Sequence, residues 1–331
     1  MARNLGTVAV GLAGGAAKGL GNLGALKALE ERGIRPAYIA GTSAGALVGG
    51  LYAAGKSVAE LEELLSGLTQ GEVTKLIDLT WARGSIVAGR NVEDFIRDLV
   101  GDVLIEDLPT PFTATAVDIT TGAGYHLNEG PLVDAIRASI SVPGVFEPVA
   151  ANGGYLVDGG VRMNMPLEVL HHYRPDTLIG VNIRPRTAAT YDWKLTRIDR
   201  DPGDDTPLWE RLTSRLLKQR SQSNGEELTA TGRSVSPKRK GENTAPGTAY
   251  LFSRVFELVM YEASQAEVER AAPDLVVDVD MEEIEVWEFW RGTEAVELGY
   301  RQTGEALDRF LARRGPADWW RTRARRLARR V

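Results

Sequence analysis

Residues 7–50 read TVAVGLAGGAAKGLGNLGALKALEERGIRPAYIAGTSAGALVGG. Thr7 to Ala13 is a short apolar run bounded by glycines, the pattern of a buried strand. A glycine-rich turn follows it, Gly14-Gly15-Ala16-Ala17-Lys18-Gly19. A helix is expected from there to about Arg32, with Leu20, Leu23, Leu26 and Leu29 as core contacts. Gly33 suits the position after the helix cap, and Pro36 blocks resumption. Ala37 to Gly41 reads as a second strand and Ala44 to Ala54 as a second helix. Two successive strand–turn–helix units imply parallel strands joined by crossover helices.

The rest of the chain continues this rhythm. Strands are predicted at Phe112–Val117, Tyr155–Val157, Thr177–Ile183 and Leu275–Val279, and helices at 58–68, 91–100, 131–139 and 166–172. The expectation is a three-layer α/β/α fold with a mostly parallel central sheet. The segment 186–249 breaks the pattern with Arg, Asp, Thr, Ser, Gly and Pro. Within it only Leu208 to Gln219 has a helical apolar face, and Ser221 to Thr248 has the composition of a mobile stretch. It reads either as a surface insertion without a role or as a flap over an active site. The expected organisation is therefore one domain over 1–311 with this polar insertion, then a basic tail over 312–331.

Composition removes several classes of chemistry. The chain has 331 residues, no cysteine and three histidines, His126, His171 and His172. Thiolate nucleophiles, disulfides and Cys-ligated metals are excluded, and no metal or other cofactor is expected. No apolar run approaches the length of a spanning helix, and no signal-peptide pattern opens the chain, so a cytoplasmic location is the expectation.

The chemistry concentrates at Gly41-Thr42-Ser43-Ala44-Gly45, a G-x-S-x-G between a predicted strand and a predicted helix. A nucleophile elbow needs this context: the glycines permit a tight turn, and the serine oxygen is presented at the strand's end. The helix that begins there favours developing negative charge. A serine hydroxyl needs a base. No histidine follows His172, and each of the three histidines reads more simply as a structural or surface residue. The pattern therefore favours a carboxylate base. Asp158 ends the apolar run Gly154-Tyr-Leu-Val-Asp158 and precedes Gly159-Gly160, which suits a rigidly held group at the sheet edge. An Asp before glycine is also a common turn residue. Backbone amides of the Gly14–Gly19 turn are positioned to serve as oxyanion donors. Lys18 reads as a brace for that loop, a contact for anionic lipid, or a solvated lysine.

Together these residues resemble the patatin-like phospholipase family, whose pattern is a glycine-rich turn of the type G-G-G-x-[K/R]-G, then G-x-S-x-G, then D-G-[G/A]. Leu23-Gly-Ala-Leu-Lys-Ala-Leu-Glu30, Asp134-Ala-Ile-Arg-Ala-Ser139 and Pro143-Gly-Val-Phe146 also look like bacterial members. The resemblance covers residues 6–185 strongly and 250–311 more loosely. It implies hydrolysis of acyl lipid esters by a serine–aspartate dyad without metal. By position, Ser43 would be the nucleophile and Asp158 the base. Gly14, Gly15, Ala16 and the Ala44 amide would form the oxyanion hole, with Lys18, Gly19, Gly41, Gly45, Gly159 and Gly160 shaping the site. Ala16 departs from the pattern, which usually has a third glycine there; a positive φ at that position would strain an alanine.

Two rival readings remain. Gly19-Leu-Gly21-Asn-Leu-Gly24 matches G-x-G-x-x-G, but it starts six residues after the strand, and no acid ends strand two as a dinucleotide site requires. A patatin-like scaffold that binds lipid or protein without turning it over is the alternative function. The tail itself, PADWWRTRARRLARRV at 316–331, would align Trp320, Ala324, Leu327 and Val331 on one helical face among arginines. Residues 313–331 carry eight arginines and one aspartate, while the whole chain has a net charge of −6. Such a tail suits either contact with an anionic membrane surface, giving peripheral attachment at its inner face, or packing on the acidic body. The acidic body disfavours nucleic acid as a partner.

Overall fold

The apolar segments form eight strands and eight helices in the computed structural model, which describes residues 5–80, 85–151, 153–184 and 248–313. The strands are β1 (Val8–Leu12), β2 (Tyr38–Gly41), β3 (Phe112–Asp118), β4 (Gly124–Leu127), β5 (Val149–Ala151), β6 (Gly154–Asp158), β7 (Thr177–Arg184) and β8 (Leu275–Asp280). The helices are α1 (Gly21–Glu31), α2 (Ala44–Ala53), α3 (Val58–Ser66), α4 (Gln70–Lys75), α5 (Arg90–Val100), α6 (Leu132–Ser139), α7 (Thr248–Ala271) and α8 (Gly292–Arg313). The chain divides into two compact units, Met1–Thr187 with Val255–Val331, and Ala188–Arg254. The elements below belong to the first, apart from the opening turns of α7.

The sheet runs β5-β6-β3-β2-β1-β7-β8, with β4 paired to β3 off this path. β8, β7, β1, β2 and β3 are mutually parallel, whereas β4, β5 and β6 join by antiparallel pairing. The expected mostly parallel α/β/α architecture is therefore present, with an antiparallel edge that the sequence pattern did not reveal. β1 and β3 are buried along their whole length, as parallel strands covered by helices on both faces must be.

Helices α1, α2 and α8 pack together on one face of the sheet. The short 3-10 helix Glu168–Tyr173, predicted as a helix over 166–172, precedes β7 and bonds to α7 through His171 and the Ala271 carbonyl. The right-handed crossover from β7 to parallel β8 places α7 on the opposite face, with the 3-10 helix bonded to it. A 3-10 turn, Ala16–Leu20, precedes α1, so the regular helix starts later than the pattern suggests. Leu20, Leu23, Leu26 and Leu29 are all buried, as read from their spacing. Gly33 has φ +70°. Its amide donates to the Glu30 carbonyl, and that of Ile34 to Leu29, the paired bonds of a Schellman cap.

The glycines of Gly19-Leu-Gly21-Asn-Leu-Gly24 have a packing role. A methyl group on Gly24 would lie 1.9 Å from the Val296 carbonyl oxygen, and one on Gly299 would lie 2.0 Å from that of Gly21. Helices α1 and α8 thus touch backbone to backbone. Gly24→Ala is expected to lower stability by about 1–3 kcal/mol through overpacking. Gly71→Ala, in a helix where the new methyl meets nothing closer than 3.7 Å, is expected to be neutral or stabilising by up to about 1 kcal/mol. Denaturant unfolding of both variants checks the contrast.

Candidate functional site

The site forms where two strand ends reach β3. Gly41 at the end of β2 lies opposite Ala114, and Asp158 at the end of β6 lies opposite Ala116. Beyond Gly41 the chain reverses sharply into α2. Ser43 stands at the reversal with φ +54° and ψ −123°, a conformation costly for a residue with a side chain. The flanking glycines are required by contact. A methyl on Gly41 would lie 2.4 Å from the Gly45 carbonyl oxygen, and one on Gly45 would lie 2.2 Å from that of Leu12. Thr42 secures the turn by a hydroxyl bond to the Met163 carbonyl and another shared with Thr115, both 2.6 Å.

Asp158 is fully buried, and Ser43 is 4% exposed. The Asp158 Oδ1 atom accepts from the Gly160 amide at 2.7 Å. The Ser43 hydroxyl stabilises the charged carboxylate by hydrogen bonding, although Oδ2 has no partner with regular hydrogen-bond geometry among the described residues. Such contacts are often loose without substrate and tighten with it. Burial outweighs both stabilising bonds and pushes the Asp158 carboxyl up to about 7. A carboxylate tuned to neutral pH beside a strained serine hydroxyl can accept that hydroxyl's proton.

The glycine turn lies against the elbow. A methyl on Gly14 would lie 3.0 Å from Ser43 Cβ, and one on Gly19 would lie 2.5 Å from Ala44 Cβ. Asn22 holds the turn closed by donating to both the Ala13 and Gly19 carbonyls at 2.8 Å. The Gly14 amide is already engaged by Asn164, at 3.1 Å to its side-chain oxygen and 3.2 Å to its carbonyl. The amides of Gly15, Ala16 and Ala44 have no acceptor among the described residues. Ala16 has φ +49°, so the residue that replaces the usual third glycine does carry backbone strain.

Residues 11–171 match the family model described as patatin-like phospholipase. An uncharacterized NTE family protein of Mycobacterium tuberculosis is 30% identical over 335 residues, covering 92% of each chain. The chain belongs to the patatin-like phospholipase family. Neuropathy target esterase sws of Drosophila melanogaster is 32% identical over 204 residues, 60% of this chain and 14% of that protein. VipD from Legionella pneumophila, known from a crystal structure, shares the fold with TM-score 0.53 and 17% identity over 92% of this chain and 67% of that one.

The remaining candidate residues of this patatin-like chain fall into place. Gly159 is required because a methyl there would lie 2.2 Å from Thr115 Oγ1. Lys18 is buried and forms an ion pair with Glu257 on α7, so it braces the loop and is neither solvated nor available to lipid. His126, His171 and His172 are exposed, and none bonds to Ser43 or Asp158. The described residues contain no cluster suited to a metal ion. A groove of about 500 Å³ lined by Leu61, Leu64, Leu68, Phe95 and Leu99 lies between α3 and α5. It shares no residue with the Ser43 site, whose geometry is the better guide to chemistry. The insertion helix at 208–219, the suggested flap and the tail at 316–331 lie outside the described residues.

Four contributors were not singled out from sequence: Ser139, Ser141, Asn164 and Met260. Ser139 Oγ accepts from the Ser43 amide at 2.9 Å, and the Ser141 carbonyl accepts from the Asp158 amide at 2.9 Å. One short stretch at the end of α6 therefore holds both members of the pair. Buried Arg137 in turn donates to Ser141 Oγ at 2.7 Å and to the Ala88 and Glu147 carbonyls. The raised Asp158 pKa makes a stability prediction. Between about 4 and 7 the folded state keeps a proton that the unfolded state releases, so stability falls as pH rises through this window and levels off above it. Denaturant unfolding at pH 5, 6, 7 and 8 should show this decline in the wild type and its loss in Asp158→Asn.

Proposed function

We propose that the chain is a lipid acyl hydrolase of the phospholipase A, lysophospholipase or esterase type, working through Ser43 and Asp158. The observation that carries this reading is the strained Ser43 hydroxyl facing a buried carboxyl whose pKa lies near neutrality. In the proposed reaction Ser43 Oγ attacks the ester carbonyl as Asp158 takes its proton. The amides of Gly15, Ala16 and Ala44 receive the developing oxyanion. The leaving alcohol departs with the proton from Asp158, and an acyl-serine remains. Asp158 then draws a proton from water, which attacks the acyl group, and passes that proton to Ser43 Oγ as the acyl–oxygen bond breaks, so that the acid leaves and both groups are restored. No cofactor enters this scheme.

The family description, patatin-like phospholipase, supports a lipid substrate, and the esterase name of the Drosophila relative supports ester cleavage. The proposed working unit is residues 1–311 with the 186–249 insertion, and the 316–331 tail would hold it to an anionic membrane surface from the cytoplasmic side. Among the described residues no helix is long and apolar enough to cross a membrane.

The test is hydrolysis of p-nitrophenyl esters and mixed lipid vesicles. Ser43→Ala and Asp158→Ala should each lose about a hundredfold or more in kcat/KM, with His171→Ala and His172→Ala at wild-type rates. kcat/KM should rise with pH through about 7 as Asp158 loses its proton. A wild type that turns over no ester while still binding vesicles would instead be the inactive scaffold. Deleting 316–331 should weaken binding to anionic vesicles at low salt, and unchanged binding would remove the tail from the scheme.

A further inference from the structure

Ser43 is buried, and one side chain from a distant part of the sequence lies beside it at Gly14. A methyl on Gly14 would lie 2.6 Å from Met260 Cε and 3.0 Å from Ser43 Cβ; one on Gly160 would lie 2.9 Å from the same Met260 carbon. The Met260 thioether methyl therefore lies over the two glycine-bearing loops that flank the candidate pair, on the side of Gly14 where Ser43 stands. Met260 is 5% exposed. An ester carbonyl bound between Ser43 and the amides of Gly15 and Ala16 must bring its acyl chain or its alcohol into this space.

Either the helix or the side chain must give way. The portion of α7 around Met260 is pinned to the walls of the site. Glu257 pairs with buried Lys18 of the glycine turn, and Ser264 accepts from Asn164 at 2.9 Å. Glu267 accepts from the Leu167 and Glu168 amides at 3.1 Å. Withdrawing α7 would strip buried Lys18 of its ion-pair partner and take buried Glu267 from the two amides it accepts from, a strongly unfavourable step. Methionine, by contrast, is unbranched, with flexible torsions and a polarizable tip that repacks readily.

We propose that Met260 is the residue that determines which acyl esters reach Ser43, its thioether acting as the adjustable wall of the acyl-binding space. The inference rests on the acyl-transfer reading of Ser43. The width of the site is then set by where this one side chain can move while α7 stays in place, and bulk at position 260 selects against long chains.

The test compares wild type with Met260→Ala, Met260→Leu and Met260→Phe, each first checked for a cooperative thermal transition. Two readouts are taken: kcat/KM across p-nitrophenyl esters from two to twelve carbons, and the rate at which alkyl fluorophosphonates of short and long chain label the intact protein, with Ser43→Ala as blank. Met260→Ala should raise the long-to-short ratio by about tenfold or more, Met260→Phe should lower it, and Met260→Leu should stay near wild type. General damage to the fold would depress all chain lengths together and leave the ratio unmoved. A reactive wild type whose ratio is the same in all variants overturns the role of Met260 alone. If neither the wild type nor Met260→Ala reacts with any ester or phosphonate, the acyl-transfer reading falls and this inference falls with it. Labelling that occurs in Met260→Ala but not in the wild type supports both.

Discussion

Everything at the site depends on one backbone reversal. To leave β2 and enter α2 within a few residues, the chain must put Ser43 at positive φ and bring Gly45 against the Leu12 carbonyl of the neighbouring strand. Neither is favourable locally. The turn exists because β1 and β2 are fixed side by side in the buried sheet, with Leu12 opposite Gly41, and because α2 must return across that sheet. The strain is therefore supported by the core. A branched or larger residue at either glycine would force the strands apart before it could be accommodated.

The same reasoning explains how a buried, poorly paired aspartate is tolerated. Among the described residues Asp158 has one regular acceptor contact, from Gly160, and burial disfavours its charge. Its backbone is nevertheless held on both sides: by the ladder to β3, and by the Ser141 carbonyl. Because Ser139 and Ser141 come from one short stretch, the serine and the aspartate are referenced to a common support. Arg137 stiffens that support by linking it to Ala88 and Glu147. A displacement at the end of α6 would carry both groups together and change their separation little.

What could be read in the sequence was what is encoded locally. Gly41-Thr42-Ser43-Ala44-Gly45 announces a tight turn by its glycines, and Asp158-Gly159-Gly160 announces another. The leucines of α1 repeat at helical spacing because their partners form a continuous core. The hidden parts depend on distant partners. Asn164 meets Gly14 across 150 residues and Ser264 across 100, and nothing near any of them signals the meeting. Helix α8 is not legible in this way because its contact with α1 is made by the backbone at Ala295, Val296 and Gly299, which leaves little apolar stripe to detect. The antiparallel strands β4 and β5 are short and largely exposed, so no alternation of apolar residues marks them. Ala16 shows the converse: its departure from the family pattern was legible, but only the backbone angle tells that it strains the turn.

The glycine contact between α1 and α8 has a consequence for how the chain is made. Gly24 leaves the ribosome well before Val296 and Gly299, which complete its surroundings. At typical rates of synthesis the interval is about 15–55 seconds. Throughout it α1 offers a bare strip of backbone and leucines with no helix to cover them. The elbow itself is made before β7, yet its sheet is incomplete until β7 pairs with β1. The order of the elements thus leaves the α1 glycines and the open side of β1 without their native partners until β7 and α8 have been made.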